Sequence, residues 1–235
     1  MKKFELTNEF ITNMFGTKLF RIRALVEFGD VEAGELGGYV EKESNLGHDD
    51  NAWVYDNAWV YGNARVYGDA QVSGDARVYG NARVYGDAQV SGDALVYGNA
   101  RVYGNAWVYG NALVCGNALV YGNARVCGDA LVCGNARVCS DALVCGNARV
   151  CSDEDYAYAH GFGSVNRTTT FFRLKDGGVG VRCGCFYGTL AQFRDKIRET
   201  HGETKKAQEY LMLADLMELR FEEDENEVGN RKYVE

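Results

Sequence analysis

Valine stands at position 54 and at every sixth residue after it through 150, seventeen times without an insertion. Alanine precedes each of them by two, from 52 to 148. A strict period of six, with a glycine in nearly every unit, fits no helical face, whose apolar positions recur at three and four residues. It fits a strand. Ala and Val two apart share one face, while the residue between them and the Tyr, Cys or Ser that follows share the other. The Gly-Asn or Gly-Asp pair between units supplies backbone that tolerates a left-handed corner. Each hexad therefore reads as a short strand and a turn.

A second regularity sets how the strands stack. Gln71–Ala76 reads Q-V-S-G-D-A and recurs at Gln89–Ala94, eighteen residues later, which gives three hexads per coil and nearly six coils. At a strand spacing of about 4.8 Å the coils build a prism roughly 27 Å tall. Ala and Val fill its thin core, and corner asparagines are expected to stack into amide ladders. The expected fold is mainly β: a parallel β-helix with an N-terminal cap over 1–50, coils over 51–152, a small α+β domain over 153–221 and a charged tail over 222–235.

The repeat resembles the left-handed parallel β-helix of the hexapeptide-repeat proteins. The segment before it, Phe20–Leu25 and Gly37–Leu46, is similar to the opening of a phage and prophage subfamily often labelled transferases. That resemblance implies trimerisation as a common assembly and a host-cell cytoplasmic setting. Acyltransferases of the fold use a histidine at a subunit boundary, with coenzyme A along the prism. In this chain the histidines are His48, His160 and His201, all outside the hexads, and no loop interrupts the coils.

The flanks read less regularly. Val40 and Leu46 are six apart and are expected to open an irregular first coil, with His48-Asp49-Asp50 as a two-residue offset before Val54. At the other end Glu154 falls on an inward position, so a carboxylate would enter the core and the prism must stop. Residues 157–166 read as a connection, and 168–174 and 179–186 as a hairpin around Lys175-Asp176-Gly177-Gly178. Thr189 and Gln192 form a capping box for one helix, and Thr204 opens a second.

The eighteen-residue coil sorts the outward residues into three columns. The first is mixed: Trp53, Gln71, Gln89, Trp107, Arg125 and Leu143. The second has an apolar centre, Leu95, Leu113 and Leu131 beside Tyr97, Cys115 and Cys133, and is expected to expose a patch of several hundred Å², to be covered by another subunit or, as the alternative, by the chain's own C-terminal helices. The third sets Arg65, Arg83 and Arg101 beside Tyr67, Tyr85 and Tyr103, donors and rings suited to an anionic or planar ligand. A second candidate site groups His160, Arg167 and Arg173.

Charge and cysteine content exclude some functions. The net charge of -8 argues against general nucleic-acid binding, and the seven Arg and seven Asp of residues 51–152, with no Lys or Glu, place that whole charge in the flanks. No apolar run is long enough to span a membrane. The eight cysteines read as reduced thiols, a disulfide between in-register strands being unfavourable, and no metal or cofactor is implied. The function expected is a non-catalytic homo-oligomeric binding protein, a phage-related accessory that sequesters a host protein or an anionic small molecule such as a signalling nucleotide. The alternatives are a coenzyme A-dependent acyltransferase and a purely structural scaffold.

Overall fold

A computed structural model describes residues 1–162 and 166–222, in two compact units, Met1–Asp153 and Glu154–Glu235. In the first unit the hexads form seventeen short strands, Trp53–Val54 through Arg149–Val150, that wind into a parallel β-solenoid of nearly six coils. Each strand pairs in register with the one eighteen residues on, so Leu95 meets Leu113, Gln71 meets Gln89 and Arg83 meets Arg101. The three sheets that result are the three columns expected from the period.

Every inward alanine from Ala52 to Ala148 and every valine from Val54 to Val150 is fully buried. The corners turn through left-handed glycines, such as Gly98 at φ +70, stacked so closely that a methyl there would lie 3.0 Å from the Gly116 nitrogen. Beside them the amides ladder: Asn63, Asn81, Asn99 and Asn117 each donate from Nδ2 to the Oδ1 of the next, ending on Asn135, at 3.0–3.3 Å.

The cap continues this order. Strands Phe4–Thr12, Lys18–Ala24 and Leu36–Val40 form an antiparallel run, and the last pairs parallel with Trp59–Val60, so the second face becomes a nine-stranded sheet. Gly37 and Gly38 permit that approach, since a methyl on either would fall within 2.6 Å of the Val54 or Ala58 carbonyl. Val40 pairs with Val60 and Leu46 with Val66, twenty residues apart, so the first coil carries the expected two-residue excess. Trp53, an outward residue by register, is fully buried because Phe28 and Phe4 close over it at 5.3 and 6.2 Å between ring centroids.

The last coil strand is Arg149–Val150, and the hexads do not continue past it: Glu154 is exposed instead of taking an inward position, and the chain leaves through a short 3-10 turn, Asp153–Asp155, in which Asp155 is buried. In the second unit residues 156–162 are a strand, not a connection, and the hairpin is part of a four-stranded antiparallel sheet, Tyr156–Phe162, Arg167–Arg173, Val179–Cys183 and Phe186–Thr189. The Tyr-Ala alternation of 156–159 is a strand pattern that the glycines after it obscured.

Helix α1, Leu190–His201, starts on the expected capping box, with the Gln192 N–H donating to Thr189 Oγ1 and the Thr189 N–H to Gln192 Oε1. Helix α2, Lys205–Phe221, is capped by Thr204. Phe171 and Val181 of the sheet, Phe193 and Ile197 of α1, and Tyr210, Ala214 and Phe221 of α2 make one core. The expected tail beyond 222 lies outside the described residues.

Candidate ligand-binding face

On the third face the register brings the sequence-selected groups together. Arg65, Arg83 and Arg101 are paired strand to strand and all three guanidinium-bearing side chains are exposed. Beside them Tyr67, Tyr85, Tyr103 and Tyr121 stack as a ladder, with centroids 5.0, 4.9 and 5.1 Å apart and rings within 3° of parallel. The ladder follows from the sequence: one residue type at one strand position, repeated every coil, puts like rings at the coil rise.

Arginines on the other faces are engaged differently. Arg77 lies over the Trp59 ring at 4.4 Å and Arg125 over Trp107 at 5.8 Å. Among the described residues Arg65, Arg83 and Arg101 pair with no carboxylate. Guanidiniums one coil apart repel by roughly 1 kcal/mol at water-like screening. A multivalent anion placed between them removes that repulsion and gains charge-assisted hydrogen bonds. Burial, then the neighbouring phenols Tyr67 and Tyr103, pushes the Tyr85 hydroxyl above its usual range against the pull of Arg101 and Arg83, so Tyr85 keeps its proton and can donate a hydrogen bond.

On the second face Leu95, Leu113 and Leu131 are half-buried, each flanked by its in-register neighbours. Beside them Tyr97 stacks on Tyr79 at 5.0 Å, and its hydroxyl is pushed up to about 12 by its hydrogen bond with Cys115 and by burial. Cys133 is disulfide-bonded to Cys151, whereas reduced thiols were expected throughout; in-register stacking brings the two Cα atoms to 4.4 Å, within bridging range. Cys115 remains a thiol.

In the second unit the other candidates do not converge. His160 Nδ1 lies 2.9 Å from Thr168 Oγ1 on the neighbouring strand. Arg173 pairs with Asp155 at 3.5 Å and donates to the Phe221 carbonyl at 3.0 Å, which ties sheet to helix. Arg167 instead borders a hollow of about 270 Å³ lined by Phe186, Phe193 and Tyr210. Among the described residues no cluster of His, Cys, Asp and Glu is placed to hold a metal, and no helix is long and apolar enough to cross a membrane.

Sequence reasoning missed a cleft of about 470 Å³ at the N-terminal end of the third face, where the two-residue excess at His48–Asp50 forms a wall beside Arg65 and Tyr67. The signal was the spacing of twenty between Leu46 and Val66.

The sequence profile described as the YdcK Beta solenoid repeat matches seven overlapping segments, residues 58–74, 70–86, 76–92, 88–100, 96–110, 100–116 and 112–128. All lie inside the solenoid and together span less than half of the chain, which is similar to that repeat there. No curated protein matches the chain.

Proposed function

We propose that the protein is a non-catalytic homo-oligomeric binding protein that holds a phosphate-bearing anionic ligand on the Arg/Tyr face. One observation carries this reading: three exposed guanidiniums stand in register beside a stacked phenol ladder, with no carboxylate paired to them among the described residues. Such a row costs free energy unless an anion is present, and its donors are fixed in place by the coil. Sequestration of an anionic signal by a phage-type accessory protein, or of a host protein carrying phosphate, matches this chemistry. The acyltransferase alternative has less support, since the hexads contain no histidine to act as a base and no acceptor loop.

For the oligomer, α2 offers an apolar contact in addition to the solenoid leucines. Met212, Leu216 and Leu219 lie on one helical face and are 70%, 54% and 67% exposed. Lys205 and Lys206 stand at the N-terminal end of that helix, opposed to the helix dipole, and at its C-terminal end Glu222 stands beyond Arg220 and beyond Glu218, which pairs with Arg194; two copies side by side and antiparallel would bring Lys205 and Lys206 toward Glu222 around the apolar stripe.

Calorimetric titration with pyrophosphate tests the binding. Arg83→Ala is expected to weaken it about tenfold or more, the worth of a charge-assisted hydrogen bond, while Arg125→Ala on the first face changes it less than about twofold. Equal losses in both variants, or no binding to the wild type, reject the reading. In sedimentation, Leu216→Glu is expected to lower the mass to that of one chain; a monomeric wild type rejects the oligomer.

A further inference from the structure

The tyrosine ladder is closed at one end and open at the other. At its C-terminal end Tyr121 shares a hydrogen bond with Cys139, the residue that takes the ladder position in the next coil. At its N-terminal end the register puts Gly47 beneath Tyr67, because Leu46 pairs with Val66. A methyl added at Gly47 would lie 3.1 Å from Tyr67 Cβ, so the glycine backbone sits directly under that residue. It supplies no ring. Among the described residues Tyr67 has a single ring neighbour, Tyr85, and on its other side is the cleft of about 470 Å³.

We propose that this cleft binds a planar aromatic ring carrying an anionic group, with the ring stacked on Tyr67 as the next member of the ladder and the anion held by Arg65 and Arg83. The anion half rests on the binding reading of the Arg/Tyr face; the ring half stands on the cleft and the open ladder end. The volume falls within the range of small-molecule sites and takes a nucleobase with its sugar. Stacking on an exposed tyrosine is a sequence-tolerant way to hold such a ring.

The walls give the ligand a direction. Asp49 and Asp50 line the cleft together with Glu43, which pairs with Lys2. Their carboxylates repel an anion and accept hydrogen bonds from ring N–H or amino groups. Arg65 stands on the same strand face as Tyr67, two residues before it, and Arg83 is one coil further on. A ligand with an amino-bearing ring at one end and a phosphate at the other is favoured with its phosphate toward the arginines and its amino group toward the carboxylates. His48 adds a donor to the wall: its ring is stacked on Phe4 at 4.4 Å and its Nδ1 accepts the Lys3 N–H at 3.2 Å, which leaves the proton of the neutral imidazole on Nε2.

Binding of three probes separates the two halves: adenosine 5′-monophosphate, ribose 5-phosphate, which lacks the ring, and adenosine, which lacks the anion. The wild type is expected to bind adenosine 5′-monophosphate about ten- to a hundredfold more tightly than ribose 5-phosphate, the worth of one stacked base. Tyr67→Ala should erase that difference. Tyr67→Phe, which keeps the ring, and Tyr121→Ala, which shortens the ladder from its closed end, should preserve it. Equal binding of the two phosphates by the wild type, or a difference that survives Tyr67→Ala, overturns the stacking site. If in that case Arg83→Ala still weakens ribose 5-phosphate, the anionic reading of the face stands alone. Adenosine binding that needs Tyr67, with no gain from phosphate and no effect of Arg83→Ala, keeps the ring site and removes the anionic reading. Failure of all three probes to bind overturns both.

Discussion

The solenoid and the second unit reach a stable core by opposite routes. In the solenoid two residue types, Ala and Val, fill the whole interior of the coils, and each coil touches only the coils above and below it. In the second unit the core joins Phe171 and Val181 of the sheet to Phe193, Ile197, Tyr210, Ala214 and Phe221 of two helices, residues up to 50 positions apart in the chain. A side chain's role in the solenoid is fixed by its position within eighteen residues. A side chain's role in the second unit depends on which distant element arrives over it. Periodicity therefore frees the outer faces of the solenoid, which need only repeat, and the Arg/Tyr column is written on one of them.

The largest effect separates the two kinds of core. Val90→Asp puts an unpaired charge into a fully buried position and should cost about 4 kcal/mol or more. Its damage should spread along the coils in both directions, seen as lost amide protection on either side of residue 90. Phe171→Ala in the second unit should cost roughly 3–5 kcal/mol as a cavity and abolish protection in the strands and helices of that unit, 156–162 and 167–221, alone. Protection lost throughout the chain in both variants would mean that the units do not fold by separate rules.

That same contrast explains what could be read in advance. The hexad register, the three columns and the amide ladders follow from arithmetic on the sequence, because every coil repeats the environment of the last. Trp53 keeps its outward register beside Gln71, but its burial depends on Phe28 and Phe4, which lie outside the repeat and close over it. The strands at 156–162 and 186–189 were missed because short segments without a repeat carry little signal until a partner strand pairs with them. The Cys133–Cys151 bond was set aside on general strand geometry, whereas the Cα separation of 4.4 Å belongs to this corner. The cleft beside Tyr67 was invisible because it depends on a departure from the repeat, the extra two residues of the first coil.

A smaller effect sharpens the comparison at the turns. Gly98 and Gly177 both have positive φ, at +70 and +88, but a methyl at Gly98 would meet the next coil at 3.0 Å while one at Gly177 meets nothing within 4 Å. Gly177→Ala should cost about 1 kcal/mol of backbone strain. Gly98→Ala should cost about 2–3 kcal/mol, since strain and contact with the neighbouring backbone add. Denaturant midpoints compare the two, and equal losses would show that the coils yield at their corners more readily than the stacking implies.

The central claim is that one solenoid face, and not the arginine content of the coils, holds the anion. Side-chain NMR signals of the arginines, followed during titration with pyrophosphate, read this residue by residue. Arg65, Arg83 and Arg101 are expected to shift together and to saturate, while Arg77 over Trp59 and Arg125 over Trp107 stay in place. Shifts spread evenly over all the solenoid arginines, or confined to Arg77 and Arg125, would contradict it.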